Sequence, residues 1–213
     1  MLSIVVRIFV LIIPIILVSS QTHIAFGLFE GLFGPPQPCL SKKDTVSKNG
    51  FVTYDNKDHN VQIQYPSDWT KDEQNFKAGS EGSALYSLAT FQPNTAEGFK
   101  SALELEINEI SKYTADTKSL TGLGEFEKEG IMLSPEASIL SSNEIKINNC
   151  PAYQIIYLQG IPNSQEKWKI ILTFLIDCDK EYVMRYTGTD LNLYDKYLKT
   201  IGDMIQTFHL SKC

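Results

Sequence analysis

Two β-rich runs joined by a short polar segment place the strongest constraint on the fold of this chain. Ala152–Leu158 and Trp168–Ile176 are rich in branched and aromatic residues, and residues 160–167 between them include Gly, Pro, Asn and Ser. This pattern predicts an antiparallel hairpin. Pairing centred on the connecting segment would place Leu158 opposite Ile170 and, further out, Cys150 opposite Cys178.

The same register predicts how the cysteines pair. The chain has four, at Cys39, Cys150, Cys178 and Cys213. Opposed residues of a hairpin have Cβ atoms about 4.5–5.5 Å apart, and a disulfide needs only slightly less. We therefore expect a Cys150–Cys178 bond, which leaves Cys39–Cys213 to join the start of the domain to its end. The alternative is four buried thiols, and no C-x-x-C pair indicates a metal or redox motif.

The first twenty residues have the features of a secretory leader. Arg7 precedes an apolar run, Ile8–Val18, and a small-residue cleavage point follows Ser20. The run contains Pro14 and is short for a membrane span, which needs about 20 residues. We predict a cleaved leader, with a retained N-terminal anchor as the alternative. Either way the rest of the chain would be exported to a compartment that permits disulfides.

Residues 21–50 have the composition of a linker, and residues 51–213 have that of one folded domain. Pro35-Pro36-Gln37-Pro38 favours an extended spacer. The segment Phe26–Phe33 alternates glycine with Phe and Leu, and its glycines oppose a stable helix. Three alternatives stay open for it: packing on the domain, disorder, or a small patch at a membrane surface.

Alternation of apolar and polar residues predicts most of the remaining strands. They cover residues 51–54, 61–65, 85–91, 139–147 and 182–187. Residues 102–110 alternate Leu and Ile with Glu, which favours a strand, although Phe99, Leu103 and Ile107 also fit one helical face.

Two helices complete the prediction. One covers about residues 120–133, and the other begins at an Asn192 N-cap and carries apolar residues to Phe208, with Gly202 in close contact with the sheet. The whole is an α+β domain: an antiparallel β-sheet of about six to seven strands, with helices packed on its faces.

Three segments in this order resemble PsbP-like domains. They are Tyr54-Asp55-Asn56 with the strand into Tyr65-Pro66-Ser67-Asp68-Trp69, then Asn149-Cys150-Pro151-Ala152-Tyr153, and finally Tyr182-Val183-Met184-Arg185-Tyr186 with the helix up to Phe208. The likeness spans most of residues 51–210. It implies an antiparallel sheet between helices and a non-catalytic accessory role on the exported side of a membrane. Photosynthetic members are extrinsic subunits near the oxygen-evolving centre, with a link to calcium retention. Relatives of the fold include bacterial lipoproteins and a Ran-binding import factor.

Charge and motifs argue against several classes of function. The net charge is −6 without a basic cluster, which argues against nucleic acid and anionic membrane surfaces as main partners. G-x-S-x-G, H-E-x-x-H and P-loop motifs are absent from the sequence. Hydrolysis would have to depend on carboxylates such as Glu104 and Glu106, which we expect on a solvated strand face. We therefore predict that the chain is not an enzyme.

Two candidate sites remain. Asp55, Asp58 and Asn60 offer oxygen ligands suited to calcium, but a tight turn uses the same residue types. The predicted register places Arg185 beside Phe174 and then Gln154, on a mainly apolar face. Arg185 would either pair with a carboxylate, or lie along the face with its head in water, or anchor an anionic ligand between sheet and helix, with Gln154 as a neighbour. We predict no other metal or cofactor.

The function that these observations favour is that of an exported, non-enzymatic accessory or binding protein. Its partner would be a protein, either membrane-bound or elsewhere outside the cytoplasm. The alternative is an extracytoplasmic carrier of a small molecule, a lipid or calcium, and an unrecognised hydrolase is the least favoured of the three.

Overall fold

Ten strands and two helices make up the parts of the chain that a computed structural model describes, which are residues 48–78, 85–95, 101–110, 118–161, 164–177 and 179–211. The first strands are β1 (Phe51–Asn56), β2 (Val61–Pro66), β3 (Trp69–Ala78), β4 (Leu85–Pro93) and β5 (Ser101–Glu109). After helix α1 (Leu120–Met132) come β6 (Ala137–Ile147), β7 (Cys150–Gly160), β8 (Lys167–Asp177) and β9 (Lys180–Gly188), then helix α2 (Leu191–Gln206) and β10 (His209–Leu210).

The strands form two antiparallel sheets. Seven of them pair in the order β3-β4-β5-β9-β8-β7-β6, and β1-β2-β10 form a smaller sheet. Helices pack on the large sheet, so the predicted α+β class and antiparallel arrangement are confirmed. The sequence did not predict β3, which is an edge strand with Lys71, Asp72 and Glu73 exposed.

Residues 101–109 form a strand, as the alternation favoured. Leu103, Leu105 and Ile107 are buried in the core that contains α2. Glu104 and Glu106 point to the opposite side, which faces α1. Because β5 pairs with β4 on one edge and β9 on the other, its apolar residues sit near the middle of the large sheet.

The two helices cover opposite sides of the large sheet. On the α2 side, the small sheet and α2 share one core that includes Tyr54, Ile63, Phe91 and Ile201. On the α1 side, Leu123 packs on a second apolar cluster. The residues of the sheet in this cluster are Tyr153, Ile155, Tyr157, Ile170, Leu172, Phe174 and Val183.

The β7–β8 hairpin forms as predicted, but its predicted register is wrong by one residue. Leu158 lies opposite Lys169, not Ile170, and Tyr153 lies opposite Phe174. Gly160 and Lys167 are themselves paired, so the connection is shorter than assumed and its centre falls between two residues. A shift of one residue gives every residue of the hairpin a different partner. Residues that were predicted to share a face of the sheet then point to opposite faces.

Helix α2 begins earlier than the sequence predicted. Its N-cap is Asp190 rather than Asn192, because the Asp190 Oδ1 accepts hydrogen bonds from the backbone N–H groups of Asn192 at 2.9 Å and Leu193 at 3.3 Å. The predicted contact of Gly202 with the sheet is also wrong. Gly202 is exposed, and a Cβ atom there would meet no atom within 4 Å.

We expect Gly202→Ala to stabilise the domain by about 0.5–1 kcal/mol, since glycine inside a helix costs that much relative to alanine. Gly124→Ala in α1 is the matched control, because its Cβ would lie 2.7 Å from Cζ of Tyr153. That variant should be destabilised. Urea denaturation of both variants measures the effect, and a loss of stability in Gly202→Ala would contradict this packing of α2.

Within the described residues, neither helix has the length and apolar character that crossing a membrane requires.

Candidate functional site

One row of directly paired residues crosses all seven strands on the side of the large sheet that faces α1. In strand order it consists of Asp72, Thr90, Glu104, Arg185, Leu172, Ile155 and Ser142. Helix α1 packs on β6 and β7, which covers the apolar part of the row at Leu172 and Ile155. Arg185 therefore lies at the boundary between the part under α1 and a polar part beyond it.

Arg185 pairs with two carboxylates of β5. Its Nη1 lies 3.6 Å from Oε2 of Glu104, and its Nη2 lies 3.3 Å from Oε2 of Glu106. Nη1 also donates a hydrogen bond of 3.4 Å to Oε1 of Glu106. Of the alternatives predicted for Arg185, pairing with a carboxylate is the one observed. The expectation of a solvated face is wrong for Glu106, which is only 8% exposed.

Helix α1 adds a third carboxylate to this group. Glu127 follows the buried Leu123 by one helical turn, so it points toward the sheet. Burial raises the pKa of Glu127, the charge of Arg185 opposes that rise, and the charge of Glu106 adds to it. Burial likewise raises the pKa of Glu106. The charge of Arg185 opposes that rise, and the charge of Glu104 adds to it.

Tyr157 of β7 completes this group on the side that α1 covers. Burial raises the pKa of its hydroxyl, and the nearby charges of Arg185 and Glu127 act on it in opposite directions. We call Glu104, Glu106, Glu127, Arg185 and Tyr157 the Arg185 cluster. It holds three carboxyl groups around one guanidinium, so it can hold a proton more tightly than isolated carboxylates do.

Gln154 does not belong to this site. Its Nε2 donates a hydrogen bond to Oγ1 of Thr173 at 3.1 Å, and both side chains lie on the α2 side of the sheet. The neighbours of Arg185 on β8 and β7 are Leu172 and Ile155, not Phe174 and Gln154. The predicted neighbourhood is wrong for two reasons: the β8–β9 register was predicted two residues away from the observed one, and the β7–β8 register one residue away.

The candidate calcium residues lie around the β1–β2 turn. Asp55 forms an ion pair with Lys57, and the backbone carbonyl of Asn60 accepts a hydrogen bond of 3.0 Å from Ser211 N. Asn60 has a φ of 57°, which suits a tight turn. Among the described residues no group of three His, Cys, Asp or Glu side chains is arranged to hold a metal. Calcium binding by Asp55, Asp58 and Asn60 stays a prediction.

Both predicted disulfides stay predictions as well. Cys150 is buried at the start of β7, while Cys39, Cys178 and Cys213 lie outside the described residues. The Cys150–Cys178 prediction depended on a hairpin register that differs by one residue from the observed one. The leader and most of the linker, residues 1–47, also lie outside the described residues.

Glu127 is not among the residues predicted from the sequence, although its position in α1 carries a signal. The stripe of α1 that faces the sheet contains Leu120, Leu123 and Ile131. Glu127 occupies the position of that stripe where an apolar residue is expected. A carboxylate at such a position indicates a charged group across the interface, and the positive charge that acts on Glu127 is that of Arg185.

Comparisons with known proteins identify the fold. No family model and no curated protein matches the sequence, but solved structures match the architecture. Cyanobacterial PsbP (CyanoP) from Synechocystis sp. PCC 6803 is 15% identical, with a TM-score of 0.53, over 80% of this chain and 98% of that one. The Ran-binding protein Mog1p of Saccharomyces cerevisiae is 10% identical, with a TM-score of 0.48, over 76% and 96%. LpqN of Mycobacterium tuberculosis, involved in cell envelope biogenesis, is 10% identical, with a TM-score of 0.47, over 76% and 91%. The chain therefore has the PsbP-like fold that its sequence motifs indicated.

Proposed function

We propose that this chain is an exported, non-catalytic accessory domain that binds a protein partner through the polar part of the sheet beyond α1. The observation that carries the proposal is the row Asp72, Thr90 and Glu104, which continues past the edge of the helix. Asp72 is exposed, and Thr90 and Glu104 are half-buried. Side chains on neighbouring strands form a broad surface, which suits a protein partner better than a small molecule.

The arrangement of the acid–base groups supports a non-catalytic role. Glu104 and Glu106 are both engaged by Arg185. Of the described histidines, His59 packs against Tyr86 with ring centroids 5.5 Å apart, and His209 belongs to β10 in the small sheet. General acid–base catalysis needs such groups within hydrogen-bond reach of one reacting centre. These groups lie on separate parts of the fold.

A cavity elsewhere in the fold also favours this interpretation. It has a volume of about 380 Å³ and lies beside the β7–β8 connection, where Glu136, Ser164, Glu166 and Lys167 contribute to its lining. The Ser164 hydroxyl accepts a hydrogen bond from Glu166 N at 3.0 Å, which is a turn contact. The described residues of this lining include no histidine or cysteine, so among them Ser164 lacks the histidine base that most often activates a serine nucleophile.

The chemistry of the surface defines the partner that it would fit. Asp72 and Glu104 give the polar part of the row a negative character, and Arg185 is already paired. A partner with a basic patch would complement this surface, and such complementarity favours encounter and specificity. The PsbP-like resemblance adds an accessory role outside the cytoplasm, but one fold hosts many functions. The surface therefore carries more weight than the resemblance.

Charge reversal at Asp72 tests the proposal. The tagged, exported protein is recovered from membranes of the producing cells, and bound proteins are quantified by mass spectrometry at low and high salt. We expect Asp72→Lys to reduce recovery of the partner by about tenfold, which corresponds to about 1.4 kcal/mol of binding energy. High salt should weaken the wild-type complex in the same direction, because it screens exposed charges.

Glu129→Lys is the matched control, since Glu129 is exposed on α1. Its replacement by lysine changes the net charge by the same amount as Asp72→Lys does. It should leave recovery unchanged. Equal losses in both variants would mean that only the overall charge matters. Unchanged recovery with Asp72→Lys, or no reproducible partner for the wild type, would contradict the proposed surface.

A further inference from the structure

We propose that α1 is held against the sheet by a proton-dependent contact, in which either Glu106 or Glu127 must carry a proton for the helix to pack closely beside Arg185. This contact is a property of the fold that does not depend on the identity of the partner. It would make α1 a segment that loosens as the pH rises and tightens as the pH falls.

The close packing of α1 fixes the backbone position of Glu127 beside the sheet while the helix stays docked. Leu123 and Gly124 are buried against the sheet. At Gly124 a Cβ atom would come within 2.7–2.9 Å of three ring atoms of Tyr153, so the helix backbone already touches the ring. Glu127 lies one turn further along the same face. Glu127 therefore lies at the same interface as the charged side chains of the sheet.

The charges around Glu127 do not balance. The charge of Glu106 acts on Glu127 from β5, and the charge of Arg185, which pairs with both Glu106 and Glu104, acts on it from β9. If all three carboxyl groups were ionised, they would carry three negative charges around one guanidinium. The Glu106 side chain is only 11% exposed, so water screens little of the resulting repulsion. A proton on one carboxyl group relieves it.

Other charged and titratable groups near this interface are already paired or lie further away. Glu144 of β6 accepts from Thr121 at 2.8 Å, Lys128 of α1 binds Glu125 at 2.7 Å, and Glu181 of β9 accepts from Asn108 at 2.8 Å. Tyr157 of β7 faces the cluster as a neutral hydroxyl whose pKa is raised by burial. Along β8, the side chains of this face that belong to the apolar cluster carry no charge.

The direction of the pH effect follows from the folded and opened states. Burial raises the pKa of both Glu106 and Glu127 above the ordinary value of 4.5. The closed form therefore binds a proton more tightly than the opened form. Its extra stability is fully present below the ordinary pKa, and it is lost as the pH rises through the raised pKa of the closed form.

Hydrogen exchange measured by mass spectrometry on the full chain reports the opening of α1 directly. The opening constant for amides between Leu123 and Ile131 is compared at about pH 5 and about pH 8, after correction for the intrinsic pH dependence of exchange. We expect it to rise by about threefold or more, and by no more than about tenfold per pH unit for each proton released.

Two substitutions identify the groups responsible. Glu127→Gln replaces the carboxyl group with a neutral group of the same shape, so the helix should fold and the rise should disappear or shrink severalfold. Glu106→Gln tests the other member of the pair and keeps the test available if the first variant does not fold. Glu129→Gln, on the exposed side of α1, should retain the full rise.

Loss of the rise in either Glu127→Gln or Glu106→Gln, together with its retention in Glu129→Gln, supports the proposal. An opening constant that is the same at both pH values in the wild type would overturn it. So would a full rise in both the Glu127 and Glu106 variants, or its loss in the Glu129 control.

Discussion

Replacing Arg185 with methionine is expected to destabilise the domain by about 2–3 kcal/mol at neutral pH. The variant leaves Glu104, Glu106 and Glu127 facing one another without the guanidinium, and the Glu106 side chain is only 11% exposed. Removing one partner of a fully buried pair costs about 3–5 kcal/mol. The expected value is lower because the Arg185 side chain is 37% exposed, so water screens part of the interaction.

Two further measurements separate a charge effect from lost packing. In the double variant Arg185→Met with Glu106→Gln, about half of the lost stability or more should return, because one of the unpaired charges is gone. The cost of Arg185→Met should also shrink as the pH falls, since the carboxyl groups then take up protons. Urea denaturation across pH measures both effects.

Lys199→Met is the matched control for this prediction. Lys199 pairs with Asp203 on the outside of α2, and its side chain is 88% exposed. Exposed pairs of this kind contribute about 0–1 kcal/mol. If Arg185→Met cost no more than this control, the Arg185 cluster would have no structural role and our account of the site would be wrong.

Replacing Phe91 with alanine is expected to cost about 3–5 kcal/mol, a larger loss of stability than that of Arg185→Met. Phe91 is fully buried on β4 at 0% exposure. Its ring centroid lies 5.7 Å from that of Tyr54 in β1 and 4.9 Å from that of Tyr65 in β2. The phenyl ring thus joins the small sheet to the large one, and its removal leaves a cavity between them.

Urea denaturation measures the loss, and hydrogen exchange locates it. Amides of β1 and β2 should lose protection before those of β8 and β9, because Phe91 contacts the small sheet. Leu133→Ala, at a residue that is 86% exposed after α1, serves as the control and should stay within about 0.5 kcal/mol of the wild type. Similar stabilities for the two variants would mean that the small sheet does not depend on Phe91.

Local patterns in the sequence predicted a strand or helix correctly where a single physical cause determined the pattern. The alternation in residues 102–110 identified β5 because its two faces meet different surroundings, the α2 core and the carboxylate–arginine site. Strand β3, by contrast, was not predicted. Its charged residues Lys71, Asp72 and Glu73 obscure the apolar pattern, and an edge strand tolerates such charges because only one of its sides is paired.

The site was harder to predict because it depends on register and on helix packing. Pairing of Arg185 with a carboxylate was one of the alternatives, yet its predicted neighbour on β8 was Phe174, two residues from the observed Leu172. The register of the β7–β8 hairpin was in addition wrong by one residue. A shift of one residue changes which face a side chain occupies, so Gln154 was grouped with Arg185 although it lies on the opposite face. Glu127 joins the site because α1 packs across the sheet, and its place in the apolar stripe of α1 indicates a charged partner without identifying that partner as Arg185.

The docking surface that we propose is the polar part of the sheet beyond α1. The most direct test places a photoreactive amino acid at Asp72 in one protein and at Leu133 in another, with both proteins exported by the producing cells. Our account predicts that illumination links the probe at Asp72 to a specific polypeptide and that the probe at Leu133 gives no such product. Crosslinks from Leu133 alone, or none from Asp72, would contradict it.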